Sequence, residues 1–212
     1  MNEAPESLFG VIIDSFLALP GWEVIATTLG IAYVVLAARE SIWCWPAAFV
    51  STLIYTVLFW EGQLPMQAVL NVYYMGMAVY GWTLWRRQAQ QDDSIVISSR
   101  PVRFHLWFIS GGIALSVITA YYLEQFVGSR LPYLDAFVMV FSVMNTVLMA
   151  RKVLENWLYW LVINSGAIAL YWQTGYYVTI VMFGLYFVLA IIGYLSWKKI
   201  QHQATINNNQ VA

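Results

Sequence analysis

Asn156, Trp160 and Asn164 stand at i, i+4 and i+8, so a helix through them carries two amides and an indole on one face. Trp157 lies on the neighbouring strip of that face. Gln67, Asn71 and Tyr74, at i, i+4 and i+7, form a second stripe with two amides and a phenol. Carboxamides donate and accept hydrogen bonds without titrating, which suits the hydroxyls and ring nitrogens of a neutral or singly charged solute. Indole and phenol faces add attraction for a cationic ring. Trp43, Trp45, Ser51 and Tyr55 fall on one further apolar stretch, and Ser142 and Asn145 on another. The candidate binding set is Trp43, Tyr55, Glu61, Gln67, Asn71, Tyr74, Asn145, Asn156, Trp157, Trp160 and Asn164. Glu61, just past Trp60, would draw in a cationic solute, although a solvated loop acid is the plainer reading. For any single residue here, an interface anchor or an amide gluing helices explains it as well. The full stripe is what points to a site.

Other chemistries find little to work with. There is no G-x-x-x-x-G-K-[ST], no H-E-x-x-H and no G-x-S-x-G, so neither catalytic residues nor a metal or cofactor site is expected. The one cysteine, Cys44, excludes an internal disulfide. No basic patch suited to nucleic acid is present. The glycines are scattered and suit helix contacts better than phosphate. An intramembrane enzyme lacks a paired nucleophile and base. A non-transporting scaffold or receptor would not need inward amides.

These stripes must be carried by membrane helices. Of 212 residues, 61% are hydrophobic and only 10% charged, with a mean hydropathy of +0.65. Soluble domains average about 25% charged residues, so this is an integral membrane protein. Seven segments are long enough to span, at about 17–25 residues each. They run from about Trp22 to Ala38, Ile42 to Trp60, Met66 to Trp85, Phe104 to Leu123, Leu134 to Ala150, Glu155 to Trp172 and Tyr176 to Trp197. An acidic N-terminal segment precedes them, with a short interfacial helix over Leu8 to Leu19. Trp85 reads as an interface tryptophan remote from any site. A polar tail from Lys198, rich in Asn and Gln, reads as disordered.

Seven spans put nine of the ten Lys and Arg residues on one side, with only Arg130 on the other. The positive-inside rule then places the C-terminus in the cytoplasm and the N-terminus in the periplasm. Sliding the chain against itself by 112 residues superposes Trp45 on Trp157, Trp60 on Trp172, Gly81 on Gly193 and Trp85 on Trp197. It also brings Glu23 onto Asp135 and Arg39 onto Arg151. The shift crosses an even number of spans, so the two triplets run parallel and the fourth span inverts between them. The expected fold is all-α, three plus one plus three. Its parts are an extracytoplasmic segment 1–21, repeat 1 at 22–85, a cytoplasmic linker and inverter at 86–133, repeat 2 at 134–197 and a cytoplasmic tail at 198–212. Parallel repeats of this kind are a transporter architecture with the solute between the halves. No carboxylate falls at mid-span, which argues for facilitated movement over ion coupling.

The run Arg151-Lys152-Val153-Leu154-Glu155-Asn156-Trp157-Leu158-Tyr159-Trp160, with Asp135 before it and Asn164 after it, resembles the signature of the PnuC-type vitamin transporters. Val79-Tyr80-Gly81-Trp82, with Trp85, is similar to the same family at the end of its third span. The resemblance covers about Trp22 to Trp197. It implies a SWEET-like fold in the bacterial inner membrane and facilitated diffusion of an unphosphorylated vitamin, which a cytoplasmic kinase then traps. It also implies substrate-binding roles for Asn156, Trp157, Trp160 and Asn164. Nicotinamide riboside members have a glutamine at the position of Asn71, an asparagine at that of Ala78 and another near Ser51. These departures, with Leu134-Asp135-Ala136-Phe137, favour the thiamine branch and leave nicotinamide riboside as the alternative. Besides the vitamin and membrane lipids, a second copy of the chain is left open as a partner.

Overall fold

The computed structural model describes residues 21–90, 97–127, 130–175 and 177–211. Leu8 to Leu19, expected as an interfacial helix, lies outside the described residues. Seven α-helices fill the described chain: α1 (Gly21–Ala38), α2 (Cys44–Glu61), α3 (Pro65–Gln90), α4 (Val102–Tyr122), α5 (Pro132–Ala150), α6 (Asn156–Thr174) and α7 (Tyr177–Val211). A π-helical turn, Leu123–Val127, continues α4. Among the described residues, five helices are long and apolar enough to cross a membrane by length and composition alone; α3 and α6 are not among them. Those two carry the amide stripes together with several Tyr and Trp, and this lowers their hydropathy below that of a lipid-facing span.

Helix ends follow the local sequence. Pro132 begins α5, where its missing N–H would have had no partner in any case. Gly175 ends α6 in the left-handed region at φ 80°, with its N–H on the Tyr171 carbonyl. Three further ends take the same reversal without glycine. Glu40, Gln63 and Lys152 have φ of 58°, 58° and 50°. The next amide in each returns to a carbonyl five residues back: Ser41 to Leu36, Leu64 to Phe59 and Val153 to Leu148. A non-glycine residue there costs about 1–2 kcal/mol.

The helices pack as a closed ring in the order α1, α2, α3, α5, α6, α7 and back to α1, while α4 leans on α5 from outside. Residues 112 apart occupy matching places in it. Trp45 meets Trp85 edge-on at 5.4 Å and 89°, and Trp157 meets Trp197 at 5.4 Å and 89°. The two pairs join through Trp85 and Trp197 at 6.4 Å. Trp85 Nε1 donates to the Ala150 carbonyl at the end of α5, and Trp197 Nε1 to the Ala37 carbonyl near the end of α1, both at 2.9 Å. These two bonds tie α3 to α5 and α7 to α1. Trp85 is only 2% exposed, so it is a core residue and not the interface tryptophan that its place at a span end suggests.

Two glycines make room for this cluster. A Cβ at Gly81 would lie 2.3 Å from the Trp45 ring, and one at Gly193 2.6 Å from the Trp157 ring. Gly81→Ala and Gly193→Ala should each destabilise the protein by about 1–3 kcal/mol through overpacking. Gly76→Ala, which meets nothing within 4 Å, should instead hold or gain stability through helix propensity. Thermal unfolding in detergent checks this, and equal midpoints for all three variants would refute the tight ring–backbone contact.

Two stretches differ from the sequence expectation. The chain beyond Lys198 is helical and continues α7 to Val211. It holds neither Gly nor Pro, and Gln201 Nε2 anchors it to the Ile97 carbonyl at 2.8 Å and to Ser99 Oγ at 3.2 Å. The linker is likewise more than a polar connection. α3 runs on to Gln90, Ile97 is 1% exposed, and Ser98 forms a parallel bridge with Val153. Ser98 N–H donates to the Lys152 carbonyl and its own carbonyl accepts from Leu154 N–H. The linker is therefore strapped across the turn between α5 and α6.

Candidate functional site

Inside the ring lies a cavity of about 280 Å³, lined by all six ring helices and by none of α4. α1 supplies Gly30, Tyr33 and Val34, and α2 supplies Trp45, Ala48, Ser51 and Thr52. α3 supplies Tyr74, Met77 and Ala78, and α5 supplies Ser142, Thr146 and Met149. α6 adds Trp157, Trp160 and Asn164, and α7 adds Phe183, Tyr186 and Ala190. Among the described residues, no charged side chain is in this lining. Its floor is the tryptophan cluster, since Trp45 and Trp157 line the cavity and back onto Trp85 and Trp197.

Most of the lining falls into pairs 112 residues apart, and the pairs are unequal. Gly30 answers Ser142, Val34 answers Thr146, Ala48 answers Trp160 and Thr52 answers Asn164. Trp45 with Trp157, Tyr74 with Tyr186 and Ala78 with Ala190 are alike. Both halves hold hydroxyls and one tryptophan of the floor, and the half contributed by α5 and α6 adds the Trp160 indole and the Asn164 amide. The facing half of α1 and α2 is smaller and gives room. Gly30 is needed for this: a Cβ there would stand 3.2 Å from Tyr186 Oη and 3.4 Å from Ser51 Oγ. Ser51 is itself tied down, donating to the Ala26 carbonyl at 2.7 Å.

Four of the sequence-derived candidates meet in this cavity: Tyr74, Trp157, Trp160 and Asn164. The others lie elsewhere. Asn145 and Asn156 are fully buried in the framework; Asn145 Nδ2 donates to the Asn156 carbonyl at 2.9 Å, and Asn156 Nδ2 to the Val153 carbonyl at 2.6 Å. They clip α5 to the first turn of α6, below the cavity floor. Asn71 Nδ2 is spent on the Gln67 carbonyl of its own helix at 2.9 Å, and Gln67 is exposed. Tyr55 Oη pairs with Thr27 Oγ1 at 2.6 Å and stacks on Phe59. Trp43 is 64% exposed and packs edge-on to Trp82, and Glu61 is exposed at the end of α2.

Lining residues outside the candidate set include Gly30, Tyr33, Met77, Thr146, Phe183 and Tyr186. One signal would have found two of these: Tyr186 lies 112 residues after Tyr74, and Tyr33 lies 112 before Asn145. Gly30, Met77 and Phe183 carry no polar group and leave no such mark. Among the described residues no three His, Cys, Asp or Glu side chains gather as metal ligands.

At the far side of the tryptophan floor, Lys152 pairs with Glu40 and lies over the Trp85 ring at 4.2 Å. Burial pulls this ammonium below its ordinary pKa, against the pull of the Glu40 carboxylate. Lys152 is 3% exposed, so the charge is held almost wholly out of water.

Comparison with known proteins places this geometry. The family described as "Nicotinamide mononucleotide transporter" matches residues 21–199. The nicotinamide riboside transporter PnuC of Escherichia coli is 23% identical over 200 residues, covering 82% of this chain and 84% of that protein. The riboflavin/roseoflavin transporter RibM of Streptomyces davaonensis is 26% identical, covering 82% and 83%. PnuC of Neisseria mucosa is 25% identical, covering 88% and 73%. A crystal structure of the vitamin B3 transporter PnuC superposes with a TM-score of 0.71 at 22% identity, covering 92% of this chain and 89% of that one.

Proposed function

Because the chain belongs to the nicotinamide mononucleotide transporter family, a family of membrane transporters and not of enzymes, we propose that it carries an unphosphorylated vitamin across the bacterial inner membrane, with nicotinamide riboside as the solute. The observation that carries this reading is the cavity enclosed by six helices, whose described lining is uncharged and sets the Trp160 indole and the Asn164 amide together on α6. A pyridinium ring suits the indole face, and a carboxamide or ribose hydroxyl suits Asn164 and Ser142, with Thr146, whose hydroxyl donates to the Ser142 carbonyl at 2.7 Å, left to accept. Thiamine, the first expectation from the sequence, gives way here. The relatives above are named for nicotinamide riboside or riboflavin. Riboflavin, with three fused rings and a ribityl chain, is bulky for about 280 Å³, a volume near the small end of ligand pockets.

The matched pairs 112 residues apart and the ring order support a three-plus-one-plus-three arrangement. Repeat 1 is then 22–85, repeat 2 is 134–197 and α4 is the inverter. The end carrying Arg39, Arg86, Arg87, Arg151, Lys152, Lys198 and Lys199 is cytoplasmic under the positive-inside rule; a reporter fused after Ala212 that proved periplasmic would reverse it. With no carboxylate in the lining, movement is downhill, and net uptake depends on phosphorylation inside the cell.

The test is uptake into liposomes of labelled nicotinamide riboside, riboflavin and thiamine in parallel. Nicotinamide riboside should equilibrate without a proton or sodium gradient, and faster than the other two. Entry of none of them above empty liposomes would refute the transport reading. Entry of thiamine alone would restore the thiamine assignment. Accumulation driven by an imposed ion gradient would end the facilitator reading.

A further inference from the structure

Glu40 and Lys152 stand 112 residues apart, one at the end of α1 and its counterpart at the end of α5. Both are held in the left-handed region, where glycine would be cheaper. Strain of this kind persists where the side chain is needed. Here the two side chains form an ion pair between the triplets, behind the tryptophan floor of the cavity. Matching positions with opposite charges allow a near-twofold ring to close on itself; like charges would repel there. The same turn is pinned from outside by the linker strap at Ser98 and from inside by the Asn145–Asn156 clip.

We propose that the Glu40–Lys152 pair is a gate contact, closing the basic end of the cavity and separating when that end opens to water. A buried pair is costly to break on one side only, because the remaining charge stays desolvated. Opening the end hydrates both ions together, so the pair stabilises the closed state without locking it. Removing either partner removes that bias and leaves an uncompensated charge that favours the open, hydrated form.

The chain contains its own reporter. Cys44, its one cysteine, is fully buried in the cluster with Trp45, Trp85 and Trp197. A small water-soluble maleimide should label the parent protein slowly in membranes whose basic end faces the reagent. Glu40→Gln and Lys152→Met should each raise the labelling rate at least tenfold, and the charge swap Glu40→Lys with Lys152→Glu should bring it back toward the parent. Unchanged labelling in both single variants overturns the proposal. So does fast labelling that the swap fails to slow, since mere loosening of the fold would not depend on restoring opposite charges. If the single variants do not fold, the swap decides: a folded swap that labels rapidly refutes the gate. The proposal rests on the transport reading, but labelling requires no transported solute, so failure in liposomes and failure here are separate results.

Discussion

Trp85→Ala should lower stability by about 3–5 kcal/mol, the usual cost of emptying a tryptophan site in a packed core. The ring is 2% exposed and touches Trp45, Trp197 and the Lys152 ammonium. Its loss also leaves the Ala150 carbonyl without the indole donor, a further cost of about 1–3 kcal/mol if water does not reach it. Lipid is as apolar as a protein core, so the lost term is mainly packing and hydrogen bonding, not transfer from water. Trp197→Ala should lower stability by a similar amount, because its indole makes the matching bond to the Ala37 carbonyl of α1. The double variant should fall by less than the two added together, since the rings touch. Unfolding in detergent measures all three. A Trp85→Ala midpoint within the error of the parent would mean the cluster does not hold the helix ring together.

The same residue shows what hydropathy can and cannot tell. A tryptophan at a span end next to Arg86-Arg87 has the pattern of an interface anchor, and nothing in its neighbours betrays an inward turn. The 112-residue shift was the better guide, because it set Trp85 beside Trp197, and the structure makes them partners. Helix number and order were legible for a related reason: apolar length acts one helix at a time. Depth along a helix was not. The stripe Asn156, Trp160, Asn164 lies on one face, but that face runs from the framework below the floor into the cavity, so Asn156 clips a turn while Asn164 lines the space. Likewise Gln67 and Asn71 share a face, yet the Asn71 amide donates to the Gln67 backbone carbonyl of its own helix. The tail misled through composition: Asn and Gln suggest disorder, yet a helix already formed in the membrane needs only an anchor such as Gln201 to continue.

Trp160→Ala and Asn164→Ala should each weaken binding of nicotinamide riboside at least tenfold. Both residues line the cavity, at positions that answer the smaller Ala48 and Thr52 112 residues earlier. An indole face against a cationic ring contributes about 0.5–2 kcal/mol. A solute group left without its amide partner costs about 1–3 kcal/mol. A factor of ten needs only about 1.4 kcal/mol. Asn71→Ala, outside the lining and bonded within its own helix, should bind like the parent. The ring attraction predicts a further contrast: Trp160→Ala should reduce affinity for a cationic vitamin more than for riboflavin, whose ring system is neutral. Calorimetry on the purified variants with nicotinamide riboside, thiamine and riboflavin reads these differences directly. Parent-like binding by both cavity variants would displace the site from this cavity. A large loss in Asn71→Ala alone would move it toward the N-terminal end of α3, where the sequence stripe first pointed. Equal losses for cationic and neutral vitamins would leave the cavity in place but remove the cation from the account of how Trp160 selects its solute.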